Sequence, residues 1–266
     1  MSLPPPSGAS GLFRLRVGLV WAAMLGGFVA FVAGFDLQLG FVREKLPFLL
    51  GLHLTPEGML QGVPLTLLVC LASMLGSVVL GFAAALGRIS GSALAYGVAT
   101  FYTSFFRGTP LLLQILLIYL GLPQLGPVPE ALPSGIVALS LCYGAYLSEI
   151  FRSAILAIGA GQWQAGLALG MSRGAVLRHL ILPQAAKIAI PPTGAMFISM
   201  LKDSSLVSVM GLWEVMFLAQ SFGRSSYRYM EMLITAALIY WLLSIALELV
   251  QGRLEARFHG GQRPAA

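Results

Sequence analysis

Long apolar runs separated by short polar stretches dominate this chain. A helix needs about 20 apolar residues to cross the hydrocarbon core of a bilayer, and several runs reach or approach that length. The first, Val17 to Phe35, carries no charge and follows Arg14 and Arg16, which suits a signal anchor starting in the cytoplasm. Further spans are predicted over Gly62–Leu86, Leu94–Leu122, Ser134–Ile150, Gln184–Leu201 and Met232–Val250. The third is interrupted by Arg107-Gly-Thr-Pro110; proline lacks a backbone donor, so a bend is expected there, with the true crossing starting near Pro110. Residues 1–16 read as a disordered cytoplasmic tail, 17–35 as an amino-terminal span and 36–58 as an external connection. Residues 59–252 read as the main membrane domain and 253–266 as a second cytoplasmic tail. Lys202 to Arg228 reads as a mixed external segment, because its apolar part, Leu206–Leu218, is short and interrupted.

Composition agrees with this pattern. Apolar residues make up 58% of the chain and charged residues only 10%, with a mean hydropathy of +0.86. A soluble domain carries roughly 25% charged residues, so a soluble enzyme and a disordered protein are both excluded. The net charge of +6 does not signal nucleic acid, because the basic residues stand singly beside apolar runs. They mark topology instead. With six spans and both ends inside, Arg14, Arg16, Arg88, Arg152, Arg173, Arg178, Lys187, Arg253, Arg257 and Arg263 fall on the cytoplasmic side. Arg43, Lys45, Lys202, Arg224 and Arg228 fall outside, and Arg107 is unassigned. Cys70 and Cys142 lie in apolar runs and read as small buried hydrophobes; no metal site is expected.

The polar stretch 153–183 is then cytoplasmic. Gly161-Gln162 is expected to open a short helix and Gly170 to close it, since glycine takes the left-handed conformation without strain. Ser172 can cap a second short helix running to about Leu180, with Pro183 as its stop. Trp163 and Leu167 fall four apart and give the first helix one apolar stripe. Such a helix suits docking into a partner's groove. Composition alone leaves a solvated loop, with Trp163 at the bilayer surface, equally open.

Gln164-Ala165-Gly166, three residues, Gly170, nine residues, Leu180-x-Leu182-Pro183 resembles the EAA loop of ATP-binding-cassette importer permeases. Gln164 stands where that motif has Glu, and Gly166 where it has its second Ala. Three more blocks resemble the polar amino acid branch of the family: Phe106-Arg-Gly-Thr-Pro-Leu-Leu-Leu-Gln114 with Tyr119 to Pro123; Tyr146-Leu-Ser-Glu-Ile-Phe-Arg152; and Phe197 to Val209. The resemblance implies an all-α, polytopic fold: a five-helix type I importer permease core plus one extra amino-terminal transmembrane helix. It implies a bacterial inner-membrane subunit, not an enzyme, that alternates between outward- and inward-open states to import polar amino acids. Its partners would be a cytoplasmic ATPase dimer, a periplasmic or lipid-anchored amino acid binding protein, a second permease subunit, identical or homologous, the substrate and membrane lipid. ATP and magnesium would sit on the ATPase, and no Gly-x-x-x-x-Gly-Lys-Ser/Thr phosphate loop occurs here.

The implied coupling residues are Gly161, Gln162, Trp163, Gln164, Ala165, Leu167, Gly170, Arg173 and Pro183. Candidates for gating or the substrate path are Arg107, Thr109, Pro110, Gln114, Glu149, Arg152, Ser199, Lys202 and Asp203. Ionisable groups near membrane spans are costly and default to function. Arg107 is favoured as a structural group bonding carbonyls freed at the bend, and Glu149–Arg152 as a local ion pair. Lys202–Asp203 reads as a helix-end ion pair or a steering group, and Glu231 and Glu248 are expected to reach water. Pro64, Pro110 and Pro191-Pro192 mark bends that line the path or act as hinges. A secondary transporter or channel would call for mid-membrane coupling ionisables and an inverted repeat, and a membrane-embedded enzyme for clustered His, Asp or Glu. Neither pattern is evident.

Overall fold

The computed structural model of the chain describes residues 11–35, 37–55 and 58–259, in two compact units, 1–44 and 45–266. The tail at 1–10 and the positions of Asp36, Glu57 and Arg263 lie outside the described residues. Every regular element among the described residues is helical. The first unit holds α1 (Gly11–Ala33) and the start of α2 (Leu39–Leu49). Helix α1 begins six residues before the expected span, inside the segment read as tail, and α2 forms within the stretch read as a plain connection.

The second unit is built from α3 (Gly62–Ile89), α4 (Ala93–Gly108), α5 (Leu111–Leu116), α6 (Ala131–Leu156), α7 (Ala160–Ala168), α8 (Arg173–Val176), α9 (Leu182–Asp203), α10 (Val215–Ser226) and α11 (Tyr229–His259). Four helices, α1, α3, α6 and α11, are each long and apolar enough to cross a membrane, and two bent pairs bring the total to six at most. The upper figure equals the six spans read from the sequence, although the second bent pair includes α10, from the segment read as external. Helices α6, α9 and α11 overrun their spans at both ends, because helical hydrogen bonding does not stop where hydropathy falls. Residues 253–259 accordingly continue α11 rather than forming a tail.

Helix α3 runs parallel to α6, and small residues bring the two backbones together. Gly76 faces Ser140, and a Cβ on Gly81 would come within 2.8 Å of the Leu147 Cβ and 2.9 Å of the Gly144 carbonyl. Hydroxyls stitch the seam: Ser77 Oγ donates to Ser140 O at 3.3 Å, and Ser140 Oγ to Ser73 O at 3.2 Å. Apolar burial distinguishes no partner in a bilayer, so close van der Waals contact and such bonds drive helix association. Antiparallel α9 packs on both: Tyr143 on α6 meets Asp203, while Ala154 and Ile155 meet the region of Ala185. One core gathers Leu65, Val69, Ile115, Leu139, Tyr143 and Met200; another gathers Ile155, Val176, Ile181, Ala185 and Ala189.

A buried carboxylate ties the segment after α9 to α11. Glu214 is fully buried and caps α10, accepting from the Met216 and Phe217 amides at 2.9 and 2.7 Å and from the Tyr240 hydroxyl at 2.6 Å. Glu231 is also buried, only 6% exposed, and bonded by Arg228 at 2.9 Å, so it does not reach water as expected. Glu248 is exposed.

Replacing Gly81 by leucine should overpack the α3–α6 seam and cost about 2 kcal/mol. Unfolding titrations in mixed detergent will show it as a shifted midpoint; an unchanged midpoint would mean that the seam yields.

Candidate functional site

The break in the third span is the local origin of the site. Pro110 cannot donate to Phe106 O, and α4 and α5 meet at 107°. Gln114 repairs the gap. Its Nε2 donates to Phe106 O at 2.9 Å, Thr109 O at 3.1 Å and Thr109 Oγ1 at 2.9 Å. Thr109 Oγ1 in turn donates to Phe105 O at 2.9 Å. The carbonyl-bonding role expected of Arg107 therefore belongs to Gln114. A guanidinium at the end of α4 points across to α6 instead.

There it joins a charge cluster. Glu149 Oε1 accepts from Arg88 Nη1 at 2.6 Å and Arg107 Nη1 at 2.9 Å, and Oε2 accepts from Arg152 Nε at 3.2 Å. The expected Glu149–Arg152 pair is thus one edge of a four-residue cluster spanning α3, α4 and α6. Three guanidinium groups on one carboxylate leave two positive charges in excess. The Arg107 guanidinium also lies 5.5 Å from the centroid of the Tyr146 ring.

Above the cluster, the bend opens a cavity of about 490 Å³. Arg107, Thr109, Pro110, Ser199 and Asp203 line it, together with Cys142, Tyr143, Tyr146 and Met196. Five of the nine path residues named from sequence therefore share one wall system. Gln114, Glu149 and Arg152 do not line it, and neither does Lys202, which is exposed. Asp203 is bonded by the Tyr143 hydroxyl at 2.7 Å; among the described residues it makes no ion pair with Lys202, which corrects the helix-end expectation. Tyr143 and Glu149, which hold Asp203 and Arg107, are six positions apart on α6, about 9 Å of axial rise. The cavity thus carries opposite charges at two levels with an aromatic wall between. Arg88, Tyr143, Tyr146 and Glu214 were not singled out by sequence reasoning. Tyr143 and Tyr146 share a helical face with Glu149 at three-residue spacing, and that was the available signal.

A second constellation follows α6. Helix α7 opens at Ala160, one residue before the expected start, and Gly170 ends it with φ +77°. The Met171 amide reaches back to Gly166 O at 3.1 Å, which closes the end of the helix. Ser172 caps α8 as expected, its Oγ accepting from the Ala175 amide at 3.3 Å. Pro183 does not stop the helix. A π-helical turn, Leu177–Ile181, carries α8 directly into α9, where Pro183 occupies the first turn and needs no donor. The apolar stripe is also split. Trp163 packs inward on the cluster of Ile155, Val176 and Ile181, while Leu167 is exposed. Gly166 is buried against Val176 and Leu180, with 2.7 Å from its would-be Cβ to Val176 Cγ2. Glycine in place of the usual alanine thus lets α7 seat closely. Gly161, Gln162, Gln164, Ala165 and Arg173 face outward.

Residues 77–260 match the family described as "Binding-protein-dependent transport system inner membrane component". The chain belongs to this family. It is 41% identical over 199 residues to the arginine transport system permease protein ArtQ of Bacillus subtilis, covering 74% of this chain and 91% of that protein. It is 38% identical over 200 residues to the probable amino-acid permease protein YxeN of the same species, covering 74% and 89%. Among solved structures, a chain of an amino acid ABC transporter superposes with a TM-score of 0.73 at 34% identity, covering 82% of this chain and 97% of that one. The chain is therefore a multi-pass inner-membrane permease subunit of an ATP-driven, binding-protein-dependent importer, and the family implies an ATPase and a binding protein as its partners. Its relatives are permease subunits rather than enzymes, and membership decides against an ATP-independent secondary transporter or channel.

Substituting Glu149 by alanine should leave Arg88, Arg107 and Arg152 facing one another. The cluster is partly exposed, so the expected loss is about 1–2 kcal/mol rather than that of a fully buried pair. The melting temperature in detergent should fall, and fall further at low ionic strength. A loss independent of salt would count against charge repulsion as its cause.

Proposed function

We propose that this permease subunit imports polar amino acids and holds the solute in the cavity between Arg107 and Asp203. The observation that carries this reading is a cavity at the break in a membrane span, with a guanidinium on one wall and a carboxylate on another. A zwitterion presents both opposite charges, whereas a sugar or an apolar solute uses neither. Thr109 and Ser199 add hydroxyls for uncharged polar side chains, and Tyr146 offers a π-face to a cation. The named substrates of the relatives, arginine for ArtQ among them, fit this chemistry.

The outward face of α7, with Gln162, Gln164, Ala165 and Leu167, is the handle that a cytoplasmic ATPase grips. Gln164 serves there by hydrogen bonding rather than by charge. Trp163 and Gly166 anchor the handle to the permease. ATP and its magnesium belong to the ATPase. Both termini face the cytoplasm, in line with the distribution of Lys and Arg. One permease supplies one handle, so a second permease subunit completes a two-ATPase assembly. ATP and the loaded binding protein bias an equilibrium between inward- and outward-open states.

Proteoliposomes holding the permease, its ATPase and its binding protein should take up an amino acid only with ATP inside the compartment that the ATPase faces. Asp203→Asn should lower uptake at least tenfold with hydrolysis retained. Gly170→Val forces a β-branched residue into left-handed backbone, at about 1–2 kcal/mol, and should uncouple hydrolysis from uptake. Undiminished uptake by Asp203→Asn would remove the substrate role from the cavity, and full coupling in Gly170→Val would remove the handle.

A further inference from the structure

Helix α9 leaves the α7–α8 module and ends at the cavity, so any movement of the module reaches Ser199 and Asp203 through it. Midway it carries Pro191 and Pro192 inside an unbroken helix. Two consecutive prolines remove two main-chain donors, leaving the carbonyls of Lys187 and Ile188 without their usual partners and making this the softest turn of α9. Helix α11 is bonded to that turn. Gln251 Nε2 donates to Pro191 O at 3.0 Å and to Glu255 Oε1 at 2.7 Å. Gly194 makes the approach possible: a Cβ there would lie 2.7 Å from Gln251 Cδ and 3.0 Å from its Nε2. The same turn also borders an apolar recess. An apolar cavity of about 540 Å³ is lined by Phe82, Phe151, Ala189, Thr193, Gly194 and Phe197. Thr193 Oγ1 is buried with no hydrogen-bond partner among the described residues. A helix with a weak turn and an unpartnered buried hydroxyl, facing a recess rather than a tightly packed helix, can bend there.

We propose that Pro191-Pro192 is a hinge and that Gln251 is a positioning residue, a latch from α11 that fixes the hinge and so sets how much of the module's movement reaches the solute cavity. This rests on the reading of α7 as the handle. Gln251 touches neither the module nor the cavity; it acts through α9. With the latch intact, the two halves of α9 move as one lever. With it gone, the lower half swings into the apolar cavity and the upper half stays behind.

The test uses the complete reconstituted transporter and reads amino acid taken up per ATP hydrolysed. Gln251→Leu removes the donor and keeps the bulk. Uptake per ATP should fall at least fivefold, while the KM for ATP stays within twofold of wild type. Gly194→Ala keeps Gln251 but pushes its amide off Pro191, and alanine favours the helix, so this variant should fold even if the first does not. It should lower the ratio in the same direction. Because both break one contact, the double variant should be no worse than the weaker single one. A wild-type ratio in Gly194→Ala, or multiplied losses in the double variant, would overturn the latch. Gly170→Val, assayed alongside, separates the two readings. If it uncouples while Gln251→Leu and Gly194→Ala do not, the handle stands and the latch falls; if it couples normally, the handle itself falls.

Discussion

A main-chain group freed inside a bilayer has no water to turn to, so a broken span survives only if the protein supplies the missing partner. Here that partner is the Gln114 amide, which satisfies the carbonyl that Pro110 cannot and two oxygens of Thr109 as well. The rest of the cavity depends on this repair. The 107° turn between α4 and α5 sends the end of α4 toward α6 and opens the space above it. Arg107 is then released from the bend to meet Glu149 and Tyr146.

The scaffold around this break is close-packed where it has to hold and loose where it has to move. Glycine and serine seat α3 on α6 with interhelical hydroxyl bonds, and little free volume remains along that seam. The middle of α9 is the opposite case, with two prolines, a side chain from α11 and an apolar recess beside it. Alternating access needs this contrast, since a uniformly rigid bundle could not change shape and a uniformly soft one would dissipate the stroke. Helix α7 is fastened by Trp163 and Gly166, and the π-turn joins α8 to α9 without a break.

Charge in a low-dielectric setting is tolerated when neutralised or bonded. Glu149 gathers three arginines, Asp203 has a tyrosine hydroxyl, and Glu214 has two amides and another tyrosine hydroxyl. Asp203 lines the cavity, and Glu149 holds Arg107, which lines it too. Glu214 is enclosed and serves the architecture.

The number and rough position of the spans, the break at Pro110, the glycine-ended helix after α6 and the Ser172 cap were all legible in the sequence, because hydropathy, proline, positive-φ glycine and capping act within one turn or one span. The pairing of side chains was not. Gln114 and Arg107 are equally good donors on paper, and only the direction in which α4 leaves the bend gives the carbonyls to one and Glu149 to the other. Lys202 adjoins Asp203 in sequence, yet successive helical residues point about 100° apart, so Asp203 turns to Tyr143 instead. Trp163 and Leu167 looked like one stripe, yet Trp163 packs on the cluster of Ile155, Val176 and Ile181 while Leu167 stays exposed. What the sequence determined by itself was local, set by backbone chemistry and the apolar length a bilayer demands. What the tertiary structure alone decided was which distant groups meet, because that depends on helix directions and rotations that arise only when all the helices pack at once.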